Sequence, residues 1–433
     1  MDNYNELQNM IADILIDYTN KLDSLLEYYD ASNNALKNKI EEHRKKFKVA
    51  YIIKDLFNSI FESPNKDFDV NKINEEVLIG KKKVKDIFQE ISYDKESGKI
   101  SFSIHSKIAD KKMYDPNNAR KDESALVAMI ETLNASILSS MIIIFEQFLS
   151  SIYFLLIKYS PEKYFENKTT QITELLKYQD VNDFISDKID SFVENEMYDS
   201  LNVLNKIINK ENINPLNNEV FNQFIEIYYR RNMWVHNDGY ANEKYINNVS
   251  RTKVKNDVFL GCDDNYFYQS IISIQKTMFE LSFYIISKYK INDQLYDKIS
   301  LYYFDKLQND EYELSKFFNS VFYKCKKFDF LQKTIGFVNY LISLKGLGDS
   351  EVFEKEIAAF DVSAMEIKFV IAKHILLNEY SIASELIEQE YDSKETPIEV
   401  KEWPLYKDFR KTNFYNELVE RHKTDFEFVE YTE

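Results

Sequence analysis

Apolar residues recur at three- and four-residue spacing over most of the chain, which predicts a protein built from long amphipathic helices. Met10, Ile11, Ile14, Leu15 and Tyr18, continued by Leu22, Leu25, Leu26 and Tyr29, mark one face of a helical stretch within residues 1 to about 62. From Ser136 to Ile157 the only ionisable side chain besides Tyr153 is Glu146, so a helix buried on nearly all sides is expected there. Phe221, Phe224, Ile225 and Tyr228 follow the stop signals Asn214, Pro215 and Asn217 and precede Gly239, predicting a helix of roughly 20 residues. A further helix is expected around Ile271 to Tyr289, with Ile274, Met278, Leu281 and Ile285 on its apolar face. The pattern changes between residues 64 and 110. Ile91-Ser92-Tyr93-Asp94 and Ile100-Ser101-Phe102-Ser103-Ile104 alternate around Lys95-Glu96-Ser97-Gly98-Lys99, which predicts a single β-hairpin in an otherwise all-α protein.

Composition supports long helices: 7 Gly and 6 Pro in 433 residues leave few tight turns. Two cysteines, Cys262 and Cys325, are too few and too far apart for a disulfide framework, and the acidic, polar start Met1-Asp2-Asn3-Tyr4-Asn5-Glu6 lacks the pattern of a signal peptide, so a cytoplasmic placement is expected. The run Met141-Ile142-Ile143-Ile144-Phe145-Glu146-Gln147-Phe148 sits in a stretch long enough to cross a bilayer, but a mid-bilayer carboxylate costs on the order of 3 kcal/mol. No membrane association is expected. The net charge of -17 argues against a surface made for nucleic acid at large. Residues 1–120 are nearly balanced, with 20 basic against 21 acidic side chains, so the acidic excess lies beyond them. Basic runs occur at Arg44-Lys45-Lys46, Lys81-Lys82-Lys83, Lys111-Lys112, and at Arg251, Lys253 and Lys255; solvated faces are the default reading of such runs.

The densest chemistry lies in Arg230-Arg231-Asn232-Met233-Trp234-Val235-His236-Asn237-Asp238-Gly239, over the last two turns of the predicted helix. On a wheel of about 100° per residue, Asn232 falls in the stripe of Phe221, Ile225, Tyr228 and Val235. Arg231 and His236 fall on its opposite rims, about 140° apart and about 7.5 Å apart along the axis. A polar residue in an apolar stripe needs a hydrogen-bonding partner, and an Arg at its rim needs an acceptor. In a regular helix one ligand does not easily meet both Arg231 and His236, so either the helix loosens after Asn232 or a second copy completes the site. The structural alternative is plain: His in a last turn suits the helix dipole, and Asn-Asp-Gly is an ordinary helix stop.

The order Arg231-Asn232-x-x-x-His236, ending an apolar-striped helix and preceded by a long helix with an acidic residue in its middle, resembles the HEPN superfamily of all-α ribonucleases. The resemblance covers roughly residues 123–305 and implies an HEPN-like helical bundle, a homodimer and metal-independent cleavage of RNA by attack of the 2′-hydroxyl on the adjacent phosphate. In that reading His236 moves a proton, Arg231 holds the phosphorane, Asn232 orients the phosphate or the His, and Glu146 is the carboxylate facing Arg231. Arg230, Arg251, Lys253 and Lys255 are the candidate RNA-path residues. The resemblance further implies a toxin or abortive-infection antiphage effector. One branch of the superfamily carries a Tyr two residues after the His; Asp238 stands there in this chain, so regulation through that Tyr is not expected. The alternatives are a catalytically inactive HEPN-like module that binds RNA or protein, and a helical scaffold.

The rest of the chain adds two flanking regions to a catalytic bundle: 1–122 with the hairpin near 91–104, and 306–433. In the latter, Glu313 to Phe318, Ala372 to Leu377 and Ala383 to Ile387 read as paired helices, and the second pair with Trp403-Pro404-Leu405-Tyr406 loosely resembles tetratricopeptide hairpins, without a strict repeat period. A helical accessory domain is expected, offering a surface for a protein trigger or a neutralising partner. No phosphate-binding glycine loop and no Cys-x-x-Cys pair is present, and His43, His105, His236, His374 and His422 are scattered, so neither a cofactor nor a metal is expected.

Overall fold

The computed structural model describes residues 2–47, 88–94, 99–104, 116–165, 172–213, 218–249, 254–392 and 398–422. It is mostly helical, as the apolar spacing predicts. The chain divides into two compact units, Met1–Ser24 with Ser140–Glu433, and Leu25–Ser139. These limits differ from divisions at 122/123 and 305/306, because the stretch beyond 306 shares one unit with the motif helix.

The longer helices, with single turns between some of them, are α1 (Asp2–Lys46), α2 (Pro116–Tyr159), α3 (Val181–Glu196), α4 (Ser200–Lys210), α5 (Asn218–His236), α6 (Glu243–Asn248), α7 (Asp264–Ile286) and α8 (Asp293–Gln308). They continue as α9 (Tyr312–Phe322), α10 (Phe330–Leu347), α11 (Ser350–Ala359), α12 (Ile367–Leu376), α13 (Tyr380–Asp392) and α14 (Asn413–Arg421). Strands β1 (Phe88–Asp94) and β2 (Lys99–Ile104) pair antiparallel, with Ile91 opposite Phe102 and Tyr93 opposite Ile100. The turn Lys95–Gly98 lies outside the described residues.

Within Leu25–Ser139, Arg44 on α1 donates from Nε and Nη2 to one carboxylate oxygen of Glu123 on α2, at 3.0 and 2.9 Å. The basic run at Arg44 is therefore partly spent on an ion pair, and Lys45 adds another to Glu41 at 2.8 Å.

In the larger unit the C-terminal half of α2 forms the centre. Met141, Ile142, Phe145, Phe148, Leu149 and Ile152 are buried to 1% exposure or less, and the Phe145 ring lies 4.2 Å from that of Phe224 on α5. Among the described residues one helix is long and apolar enough to cross a membrane, Lys121–Tyr159, and 56% of its most apolar window is buried inside the protein. Its one carboxylate in that run is consumed by an internal contact described below.

Helices α7, α8 and α9 meet through aromatic rings: Phe279 stands 4.6 Å from Phe318, and Tyr303 3.7 Å from Phe318. Beside them Lys306 is buried and held by Asp23 at 2.7 Å and Glu311 at 3.1 Å, satisfying a charge that burial alone would neutralise. Beyond α9 the helices pack as neighbours around Leu341, Leu344, Phe369, Ile375 and Phe409. Helix α10 starts on a capping box made by Asp329 and Gln332 and stops at Gly348, whose φ of 70° only glycine adopts cheaply. This region consists of paired helices, α9 with α10 and α12 with α13.

Candidate functional site

Helix α5 runs from Asn218 to His236. Its buried residues are Val220, Phe224, Ile227 and Met233; with Arg231, the first three fall within about 60° of arc. This corrects the placement of Asn232. The stripe of Phe221, Ile225, Tyr228, Asn232 and Val235 is a half-buried flank, with Val235 50% exposed, and Arg231 rather than Asn232 interrupts the core stripe. Both stripes are apolar at helical spacing, and a one-residue rotation separates them. The helix does not loosen after Asn232, since Asn237 N–H donates to Met233 O at 2.8 Å. Arg231 and His236 thus remain about 140° apart, and the half-buried flank lies between them.

Placing Arg231 toward the core demands an acceptor, and Glu146 supplies it. Arg231 Nη2 donates to Glu146 Oε1 at 3.0 Å; the side chains are 19% and 29% exposed. The same Oε1 accepts from Ser200 Oγ at 2.9 Å, and that hydroxyl lies 3.5 Å from Tyr228 OH. The Arg231 guanidinium stands 5.3 Å from the centre of the Tyr228 ring. Arg231 Nε is buried and has no hydrogen-bond partner among the described residues. Three helices therefore meet at one carboxylate: α2 with Glu146, α4 with Ser200 in its first turn, and α5 with Tyr228 and Arg231. Ser200 gave no signal in the sequence, because it acts through tertiary contact 54 residues from Glu146.

Arg230 points elsewhere. Its Nε donates to Glu226 Oε1 at 2.7 Å, its Nη1 to Gly261 O, and its guanidinium lies 4.1 Å from the centre of the Tyr266 ring. Glu226 also accepts from Tyr245 OH at 2.6 Å on Oε1 and from Tyr266 OH at 2.9 Å on Oε2. Burial pushes the Tyr245 and Tyr266 hydroxyls well above their ordinary pKa, and the adjoining Glu226 charge adds to that shift. Burial likewise pushes the Cys262 thiol up to about 12, against the opposing pull of Arg230. Arg230 thus has its Nε and Nη1 engaged within the protein, with 16% of its side chain left exposed. The i,i+4 spacing of Glu226 and Arg230 was a readable sign of this.

After His236 the chain turns sharply. Asp238 and Gly239 have φ of 49° and 79°, and a Cβ on Gly239 would sit 2.9 Å from the Phe259 ring, so glycine is required there on two counts. Leu260 N–H donates to Gly239 O at 2.8 Å and Trp234 Nε1 to Leu260 O at 2.9 Å, which ties the loop to the helix end. His236 itself is exposed and has no hydrogen-bond partner among the described residues; Asn232 is half-buried. Lys255 is exposed, while Arg251 and Lys253 lie outside the described residues, as does His105. His374 and His422 are engaged by Glu379 at 2.6 Å and Glu388 at 3.0 Å, and His43 stacks 4.5 Å from Phe47. Among the described residues no group of three or more His, Cys, Asp or Glu is placed to hold a metal ion.

Comparison of the chain with protein-family models, curated proteins and solved structures finds no match.

Proposed function

We propose that this protein is a metal-independent endoribonuclease of the HEPN kind, acting as a homodimer in the cytoplasm. The observation that carries the reading is the division of labour on α5: Arg231 is turned inward and gripped by Glu146, His236 is exposed with no partner among the described residues, and the half-covered flank between them carries Tyr228, Asn232 and Val235. A helix whose apolar flank stays half-covered between an Arg and a His suits a second copy laid across it, with the Arg of one protomer and the His of the other meeting at one phosphate.

The chemistry follows from the residue types. His236 takes the proton of the RNA 2′-hydroxyl or gives one to the leaving 5′-oxygen, since an imidazole nitrogen can accept or donate. The Arg231 guanidinium, its Nη2 tethered to Glu146, presents its remaining edge to the phosphorane oxygens as charge builds. Asn232, on the flank between them, hydrogen-bonds the phosphate. Products are a 2′,3′-cyclic phosphate and a 5′-hydroxyl. Lys255 lies exposed after the motif helix, where a strand of RNA leaving the site would meet it. The acidic surface elsewhere keeps non-specific affinity low, which suits a toxin or antiphage effector held off until triggered. The C-terminal helices α9 to α14 offer a surface for such a trigger or for a neutralising partner.

A second reading, a module that binds RNA or protein without cutting it, is favoured by the depth of Arg231, whose Nε is enclosed. One experiment separates the two. Purified protein is incubated with end-labelled RNA in excess chelator, beside Arg231→Ala and His236→Ala. The enzyme reading expects fragments ending in cyclic phosphate and a loss of about 10²- to 10⁴-fold in rate for each variant. RNA retained without cleavage supports the binding module; cleavage unchanged in both variants removes this site from the account.

A further inference from the structure

An open groove of about 900 Å³ runs beside the site on the larger unit. Three helices wall it, each with residues at helical spacing. Helix α2 gives Ile143, Gln147, Ser150 and Phe154, at i, i+4, i+7 and i+11; helix α3 gives Asp190, Val193 and Glu194, with Met197 and Tyr198 in the turn just past its end; helix α1 gives Met10 and Ile14. From Ile143 to Leu155 the α2 wall is about 18 Å long at 1.5 Å per residue. Three ridged walls around such a space reproduce a helical bundle with one member missing. Its lining includes Met10, Ile14, Phe154 and Leu155, and two large hydrophobics there are left open: Ile143 is 49% exposed and Tyr198 98%.

Charge decides what fits. Glu146, Asp190 and Glu194 line the groove, and among the described residues no Lys or Arg does. Asp190 and Glu194 are exposed and have no ion pair among the described residues. Carboxylates on the rim repel RNA phosphates and favour a cationic partner. We propose that this groove is the docking site for a basic amphipathic helix of a protein partner, its apolar face on Ile143, Phe154 and Met197 and its Lys or Arg residues on Asp190, Glu194 and Glu146.

Glu146 belongs to both sites. Its Oε1 holds Arg231 at 3.0 Å and Ser200 at 2.9 Å while the side chain lines the groove. A cation of the docked helix therefore draws on the same carboxylate that anchors Arg231, and occupancy of the groove changes how firmly Arg231 is held. This regulatory consequence rests on the ribonuclease reading above; the docking itself does not.

The test uses the full chain and a fluorescent peptide of about 12 residues, the groove's length at 1.5 Å per residue, with Leu and Lys set in an amphipathic helical pattern. A Leu–Glu peptide of the same pattern is the control. Anisotropy titration is expected to show saturable binding of the Lys peptide only, weakened about tenfold or more by the double variant Asp190→Lys with Glu194→Lys, and several-fold by Ile143→Asn. Glu351→Lys with Glu354→Lys, on α11, should leave it unchanged. Equal binding of the acidic peptide, or equal loss in the α11 variant, overturns the proposal. So does a change in sedimentation caused by Asp190→Lys with Glu194→Lys, which would give the groove to a second copy. Binding without any RNA cleavage leaves the dock standing and sinks the ribonuclease reading; cleavage without peptide binding does the reverse.

Discussion

Arg231 and Glu146, 85 positions apart in sequence, share a hydrogen bond of 3.0 Å that joins the motif helix to the long apolar stretch of α2. Each explains the other's location. An Arg in the core stripe of α5 needs an anion, and a carboxylate in the run Met141 to Phe148 needs a cation. Ser200 completes the arrangement by donating to the same oxygen.

Replacing Glu146 by Gln keeps the shape and removes the charge. Both partners retain some solvent contact, so the loss of stability is smaller than for a fully buried pair, about 1–2 kcal/mol by urea denaturation. Cleavage should fall further than stability does, because the tether that orients Arg231 is gone. A Gln variant as stable and as active as the parent would separate this carboxylate from the site.

The pair at Arg231 was legible in the sequence because few residue types can occupy such positions: one acidic residue in a long apolar run, one Arg at the edge of an apolar stripe. Which stripe faces the core was not. Phe221, Ile225 and Tyr228 have the same spacing as Val220, Phe224 and Ile227, and only the packing of Phe224 on Phe145 decides between them. Periodicity gives the pitch of a helix and leaves its rotation open when adjacent positions are both apolar. The partners of Arg230 were hidden for a related reason: they include the carbonyl of Gly261, in the stretch after the left-handed Asp238 and Gly239, and the ring of Tyr266 in the first turn of α7. The hairpin spacing around residues 91–104 was readable because period-two alternation leaves no helical alternative.

Arg230 and Lys255 should behave oppositely on substitution. Arg230→Ala leaves Glu226 facing Tyr245 and Tyr266 without its cation, and a loss of about 3 kcal/mol in unfolding free energy is expected. Lys255→Ala should leave stability unchanged and, in the ribonuclease reading, lower the slope of log affinity for RNA against log salt by about 1. Equal stability of Arg230→Ala and the parent would contradict the enclosed position of this guanidinium.

Glu211, just past the end of α4, gives a pH-dependent stability whose sign can be worked out. Burial alone would raise its pKa, but bonds from Lys288, Tyr164 and Lys163 outweigh that and hold it below the ordinary glutamate value of 4.5. Tyr164 OH lies 2.6 Å from Oε1 and Lys163 Nζ 2.9 Å from Oε2. A carboxylate whose folded pKa is depressed binds fewer protons in the folded state, so its contribution is complete above the unfolded value and is lost as pH falls through the folded one. Glu211→Gln should therefore cost about 2 kcal/mol at neutral pH, the two lysines being free to rehydrate in part, and the difference from the parent should shrink as pH drops below 4.5. Urea titrations of parent and variant at neutral and acid pH provide the measurement. A gap that stays constant or widens on acidification would show that Glu211 is not held as the anion by these three donors.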